Sequence, residues 1–419
     1  MQTQLADFLQ SSPQGQQAEA ILRHCVHCGF CNASCPTYQL LGDELDGPRG
    51  RIYLIKQVLE GNPATRASQQ HLDRCLTCRA CETSCPSGVE YGRLLDIGRN
   101  LVEQQVPRVW HQRLFRQVLL FCLPFPSRFA RLLAMARLCR PLLPPLFKNK
   151  LPLPQPAGVR PARRHRRRML LLEGCVQPAL APRINTAAAQ ALDRLGISVV
   201  DAPSAGCCGA LAYHLNDRQG GLDAMRRLID AWWPAVESGV EAIVTTASGC
   251  GVTVKQYEEL LRHDPAYAQK AARISDLAKD IGEILSAENL AVFAPKPRRI
   301  AFHSPCTLQH GQQLNGKVER LLIKLGFELT QVADAHVCCG SAGSYALLQP
   351  TLSGRLREAK IQALQAERPE LIATANIGCW LQLQETAAVP VVHWIELLTA
   401  EAEQASARDR FVWFAQTDR

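Results

Sequence analysis

This sequence lacks an uninterrupted apolar stretch long enough to cross a bilayer. The best candidate, VLLFCLPFP at 118–126, is short and broken by prolines. The opening MQTQLADFLQSSPQGQQAEA is polar and has no apolar h-region, so no secretory signal is expected and a cytoplasmic, reducing setting is. No G-x-G-x-x-G follows a predicted strand and no P-loop occurs, which leaves no nicotinamide, flavin or phosphate-cradling fingerprint. Hydride removal from a substrate normally needs such an organic cofactor. Substrate is therefore expected to be oxidised on another subunit, with no catalytic residue on this chain. The formal charge of +9 is a modest excess for 419 residues. It permits contact with an acidic partner or an anionic surface and demands neither. The basic run RPARRHRRR at 160–168 lacks interleaved aromatics, so no nucleic-acid partner is expected.

What the sequence has is cysteine, 18 in all. Clustered thiols in a reducing compartment read as metal ligands rather than disulfides. Eight fall in residues 1–100, in two runs of one pattern. The first is Cys25-x-x-Cys28-x-x-Cys31-x-x-x-Cys35-Pro36, and the second is Cys75-x-x-Cys78-x-x-Cys81-x-x-x-Cys85-Pro86. In this two-cluster ferredoxin spacing, three cysteines grip three irons of one cube and the fourth reaches across to the other. Cys25, Cys28, Cys31 and Cys85 are thus assigned to one 4Fe–4S cluster, and Cys75, Cys78, Cys81 and Cys35 to a second. Zinc is the competing occupant, but two complete three-plus-one runs in tandem disfavour it. His24 and His27 read as spacers. The stretch GPRGRIYLIKQVLEG at 47–61 has helical apolar spacing and separates the runs, as in a helical ferredoxin rather than a compact one.

The other half is an internal repeat. RRMLLLEGC (167–175) answers RRIAFHSPC (298–306), GCCGA (206–210) answers VCCGS (337–341), and EAIVTTASGC (241–250) answers ELIATANIGC (370–379). Each copy reads as strand, cysteine, helix, strand, Cys-Cys-Gly, helix, strand, cysteine, which predicts an α/β unit with a mostly parallel sheet. Ligands in such sheets gather where strands end. One set is Cys175, Cys207, Cys208 and Cys250; the other is Cys306, Cys338, Cys339 and Cys379. Each set offers four thiols for a further cluster or metal, the alternative being buried thiols packed as small hydrophobes. His303, His310, His336 and Tyr345 lie near the second set and read mainly as local hydrogen-bonding groups. Cys122 and Cys139 read as structural.

The fold class expected is α+β and multidomain. An α-helical two-cluster ferredoxin-like domain (1–100) precedes a helical, Pro- and Arg-rich linker (101–166). Two repeated α/β Cys-Cys-Gly domains follow (167–290 and 297–419). An apolar–basic segment at 108–168 suggests peripheral contact with the cytoplasmic face of the inner membrane, beside the alternative of a solvated linker and subunit interface.

Both ferredoxin runs, with LEGCVQP, GCCGA, ASGCG, PCTLQH, CCGSAG and TANIGC, resemble the iron–sulfur subunits of bacterial glycolate oxidase over nearly the whole chain. The resemblance implies flavin-bearing partner subunits that oxidise glycolate to glyoxylate. Electrons would then pass through this chain to a quinone or another membrane acceptor. Similar subunits serve glycerol-3-phosphate dehydrogenase, lactate utilisation and heterodisulfide reductase, and these are the competing assignments. Heterodisulfide reductase units end in Cys-x-x-Cys. Here Gly251-Val252-Thr253 follows Cys250 and Trp380-Leu381-Gln382 follows Cys379, so each unit is one cysteine short of a disulfide-cleaving site.

Overall fold

Proline and short polar caps start the helices of the first unit. Pro13 and Pro48 sit at first helical positions, and the Ser12 and Thr65 side chains accept N–H bonds from Gly15 and Ser68. The helices Pro13–His24, Pro48–Leu59, Arg66–Asp73 and Tyr91–Gln105 share one core, in which Leu22, Ile55, Leu59, Leu94 and Leu95 are fully buried. Each such side chain contributes about 1.5–3 kcal/mol of burial. Gly98 lets two helices touch: a Cβ there would stand 2.5 Å from Ile55 Cγ1. This computed structural model of the protein describes residues 1–142 and 151–399, so part of the expected linker and the end of the 297–419 domain lie outside the described residues. The Tyr91–Gln105 helix runs past the boundary expected at 100, and Val106 still belongs to the helical core.

The next segment is two amphipathic helices, Trp110–Cys122 and Pro126–Leu138, bent by 108° at their junction. Leu119 is the one residue of the two that is buried. No single helix among the described residues is long and apolar enough to cross a membrane. Cys122 is half-buried, whereas Cys139 is exposed and packs in no core, which corrects its structural reading.

Two four-stranded parallel sheets follow, ordered β2-β1-β3-β4 and β6-β5-β7-β8. In the first, β1 is Arg167–Leu172, β2 Ile197–Val200, β3 Ile243–Thr245 and β4 Ala278–Asp280. In the second, β5 is Arg299–His303, β6 Glu328–Leu329, β7 Leu371–Thr374 and β8 Val391–His393. Central strands are covered on both faces, hence continuous runs such as Met169–Leu172 and Leu371–Thr374, buried throughout. The unit order follows the repeat, and each unit adds a fourth strand that the repeat did not announce. Both added strands end in a capping box, Asp280 with Glu283 and His393 with Glu396.

The two modules share a hydrophobic core containing Ile184, Leu192, Leu321, Leu322 and Trp394. Polar bonds close the seam: Ser248 N–H donates to Ala375 O at 3.3 Å, and the His393 ring meets Thr246 O at 2.9 Å. The helical unit docks on both modules. Tyr345 Oη donates to Arg74 O (3.1 Å), Thr83 Oγ1 meets His310 Nδ1 (2.9 Å), Arg79 donates to Gln256 (3.0 Å), and His214 pairs with Asp96 (3.3 Å). The Arg run is largely anchored: Arg160 pairs with Glu173, Arg163 with Asp201, Arg164 with Asp193, and Arg167 with Glu241 and Glu288. It is a strap onto the first sheet, not a free basic patch.

Candidate iron–sulfur and cysteine-cluster site

The two ferredoxin loops share a backbone trace. Residues two after the first cysteine, His27 and Thr77, have φ of 59° and 54°, and residues after the second, Gly29 and Arg79, have φ of 88° and 61°. Left-handed conformations cost non-glycine residues energy, so three non-glycine instances in matching places mark a required shape. That shape curls each run around a small cavity. One is lined by Cys25, Cys28, Cys31 and Cys85, the other by Cys75, Cys78 and Cys35, and Cys81 borders both. Burial, then the charges of Cys25, Cys85 and Cys28, push the Cys31 thiol up to about 11. Burial, with Cys75 and Cys35 among the nearby charges, pushes Cys78 and Cys81 well up. The fourth cysteine of each run therefore faces the other run's cavity. Thr77 N–H donates to Cys75 Sγ (3.4 Å), and Tyr91 Oη donates to the same sulfur (3.6 Å). Four convergent thiols around a cradle fit an iron–sulfur cube in each place, and in the buried second one N–H and O–H donors meet the Cys75 sulfur.

Sequence reasoning missed the support behind the second set. Arg51 and Asp46 are fully buried. Arg51 donates to Thr37 Oγ1 (3.1 Å), Asp46 Oδ1 (3.4 Å) and His71 O (2.8 Å), and Arg74 reaches Asp46 Oδ2 at 2.7 Å. Thr37 in turn lies 3.3 Å from Cys35 Sγ. Burial alone would lower the Arg51 pKa, but the charges of Cys75, Tyr91, Cys35 and Asp46 raise it. The available signal was an arginine on the apolar face of the 47–61 pattern, beside Ile52 and Ile55.

All eight cysteines of the repeated half lie just beyond the C-terminal ends of strands. Cys175 and Cys306 follow β1 and β5, the Cys-Cys pairs follow β2 and β6, and Cys250 and Cys379 follow β3 and β7. The two sets are built alike. Gly209 and Gly340 both have φ of 86°, and a Cβ on either would fall 2.6 Å from a backbone oxygen, of Gly221 or of Ser353. Gly209 N–H donates to Cys207 Sγ (3.5 Å) and Gly340 N–H to Cys338 Sγ (3.4 Å). In the first set, bonds from Cys175, Cys208 and Gly209 favour Cys207 as the thiolate. In the second, Cys306 and Cys338 sulfurs stand 3.8 Å apart, and burial and neighbouring sulfurs hold both thiols high.

The sets differ in their neighbours. Leu76, Cys78 and Ala80 of the second ferredoxin loop pack directly on Cys306, Cys338 and Tyr345. A central cavity joins them, lined by Cys75 and Cys78, by cysteines of both modules, and by Leu123, Phe129 and Leu133 of the bent helix pair. The opposite edge is open: Cys28 is exposed, between Val26 at 70% and Phe30 at 65% exposure. His310 and His336 face each other through His310 Nε2 and His336 O at 3.2 Å, and Tyr345 clamps Arg74. His303 is buried beside the second set, its Nδ1 2.9 Å from Thr374 Oγ1.

Residues 21–89 match the family described as 4Fe-4S dicluster domain, and residues 169–255 and 300–384 each match a cysteine-rich domain. The glycolate oxidase iron-sulfur subunit of Escherichia coli (strain K12) is 55% identical over 406 residues, spanning 96% of this chain and 100% of that one. The probable glycolate oxidase iron-sulfur subunit of Bacillus subtilis (strain 168) is 29% identical over 92% of this chain and 95% of its own. A solved structure of a hypothetical protein from Helicobacter pylori has the same fold, with TM-score 0.51 at 12% identity, covering 93% of this chain and 72% of that one. With a dicluster domain whose two thiol sets each fit a 4Fe–4S cluster, and two cysteine-rich modules behind it, this chain belongs to the family of glycolate oxidase iron–sulfur subunits.

Proposed function

We propose that this chain is the electron-transfer subunit of a glycolate-oxidising complex. It would take electrons from flavin-bearing subunits that convert glycolate to glyoxylate and deliver them to a membrane quinone. When bound, the two clusters supply one-electron carriers close together. The observation that carries the reading is the polarity of the two thiol sets. One opens to solvent at Cys28 between exposed Val26 and Phe30, and the other is buried at Cys78 against the second cysteine-rich module. Val26 and Phe30 offer an apolar docking face for the donor subunit. The central cavity, bordered by Cys75 and Cys78 on one side and Leu123, Phe129 and Leu133 on another, offers the acceptor an apolar slot.

Anaerobic glycolate should reduce the clusters of the whole complex, read by low-temperature EPR. If dithionite reduces them and glycolate does not, while lactate or glycerol 3-phosphate does, the substrate assignment passes to that dehydrogenase class. If Cys338→Ser and Cys339→Ser abolish a thiol or disulfide reductase activity with both ferredoxin signals intact, the catalytic reductase reading replaces this one.

The membrane seat is proposed on the bent helix pair. Trp110, Leu114, Phe121, Met135 and Leu138 are exposed there. Between Trp110 and Leu138 no Asp or Glu occurs, while five Arg do, of which Arg116 pairs with Asp73. Each basic residue near an anionic bilayer is worth about 1 kcal/mol. The surface is read as lying on the cytoplasmic leaflet, beside the quinone slot. Trp110→Glu with Phe121→Glu should cut sedimentation with phosphatidylserine-containing vesicles about tenfold or more. Unchanged sedimentation would remove the helix pair from the membrane reading.

A further inference from the structure

The two cysteine-rich modules are alike in backbone and sulfur placement but not in what stands behind the sulfurs. The strand before the first cysteine ends in Leu172 in one module and in His303 in the other, at matching places of the repeat. His303 is 2% exposed, and its Nε2 has no hydrogen-bond partner. An orphaned buried ring nitrogen is costly unless something meets it. Two cysteines lie close to the ring. His303, Cys339 and Cys379 are all buried, and their ligand atoms lie within 4.8 Å of one another.

We propose that His303, Cys339 and Cys379 form a mixed imidazole–thiolate site for one borderline divalent ion of the zinc class, present in the second module and absent from the first. Three features support it. The first is spacing. A tetrahedral ion with N and S ligands at about 2.0–2.3 Å holds its donors about 3.3–3.8 Å apart, so a small contraction closes this triad on one ion. The ligands of a four-iron cube grip separate irons and stand farther apart. The second is orientation. Thr374 Oγ1 lies 2.9 Å from His303 Nδ1, so an Nδ1–H bond to it fixes the ring and leaves the unpartnered Nε2 lone pair for an ion. Asn376 Nδ2 donates to Cys379 Sγ at 3.5 Å, which holds that sulfur in place. The third is donor chemistry: two thiolates and an imidazole suit zinc better than a hard cation. Cys338, in contact with Cys339, is a further thiol for the fourth position. A redox-inert ion here ties the ends of β5, β6 and β7 together behind the cavity wall and adds no electron step. The proposal therefore stands apart from the electron-transfer reading.

The test uses the complex purified anaerobically, with zinc and iron measured together and X-ray absorption recorded at the zinc edge. Wild type should hold about one zinc per chain, with sulfur and nitrogen neighbours and the outer-shell scattering of an imidazole. His303→Leu, which installs the first module's residue, should lower zinc at least tenfold with iron per chain unchanged. His303→Cys should keep the zinc and replace nitrogen scattering with sulfur. Zinc absent from wild type, zinc retained in His303→Leu, or zinc without imidazole scattering would each overturn the proposal. So would additional iron at this module lost with His303. EPR of the ferredoxin clusters in the same samples reports on the electron-transfer reading separately.

Discussion

Arg51 is the side chain on which the second thiol set most depends outside the cysteines. It is fully buried, bonded to Asp46 and to the threonine that contacts Cys35, and its cation faces Cys75 and Cys35. Removing one partner of a buried pair leaves an uncompensated charge and costs about 3–5 kcal/mol. Arg51→Met is expected to destabilise the anaerobic holoprotein by that amount in chemical denaturation. It should also shift the potential of one cluster negative in an EPR-monitored titration, because a nearby cation favours the more negative reduced state. The crossing of the fourth cysteines makes a second residue-scale prediction. Cys85→Ser should perturb the cluster of the Cys25–Cys31 loop while sparing that of its own loop, and Cys35→Ser should do the reverse. Mössbauer spectra of the two variants check this.

At the scale of elements, the fourth strands end in equivalent caps with opposite titration. Burial raises Asp280 to about 7 and lowers His393 to about 4. A carboxyl raised in the fold adds stability that is complete below its unfolded pKa, about 3.9, and is lost as pH rises through 7. An imidazole lowered in the fold adds stability that is complete above its unfolded pKa, about 6.5, and is lost as pH falls through 4. Burial keeps the His393 ring neutral, against the opposing pull of its bond to Thr246 O across the seam, and Nδ1 accepts from Ile395 N–H (3.3 Å). Amide exchange over 393–398 should accelerate as pH falls from 6.5 towards 4. Asp280→Asn, which can keep the cap, should flatten the opposite slope between about 4 and 7. Elsewhere, Gly340→Ala combines a left-handed backbone with a 2.6 Å approach to Ser353 O. It should cost about 1–3 kcal/mol and disturb the Cys338–Cys339 turn, seen as a lowered melting temperature.

Across the whole molecule, the order of parts is the functional statement: an exposed thiol edge, a buried one, a cavity, and an apolar–basic helix pair beside it. Tyr345, Thr83 and Arg79 hold the helical unit on the modules through single hydrogen bonds. Tyr345→Phe removes one bond and should cost only about 0.5–1.5 kcal/mol in unfolding. If the Cys78 face is the exit, the same variant should slow quinone reduction by the complex while leaving glycolate-driven cluster reduction unchanged, as stopped-flow traces of the two steps would report.

Much of this was legible in the chain. The eight ferredoxin cysteines are local pattern, fixed by spacers of two and three residues, and the pairing of the fourth cysteines follows from that pattern. The repeat gave two α/β units and placed their cysteines at strand ends, because a parallel sheet brings all strand ends to one edge. The fourth strands escaped notice: with three residues each they carry too little periodicity to separate from loop. The Arg run is irregular chain leading into the first sheet, as a linker would be, but charge alone does not tell that acids such as Asp193, Asp201 and Glu241 lie opposite and anchor it. Sequence by itself determined the clusters and the repeat, since those rest on short-range spacing. Tertiary structure alone decided which thiol set is buried on which module, that Arg51 backs the second set, and that His303 meets Cys339 and Cys379. Those contacts join residues far apart in the chain, and only packing brings them together.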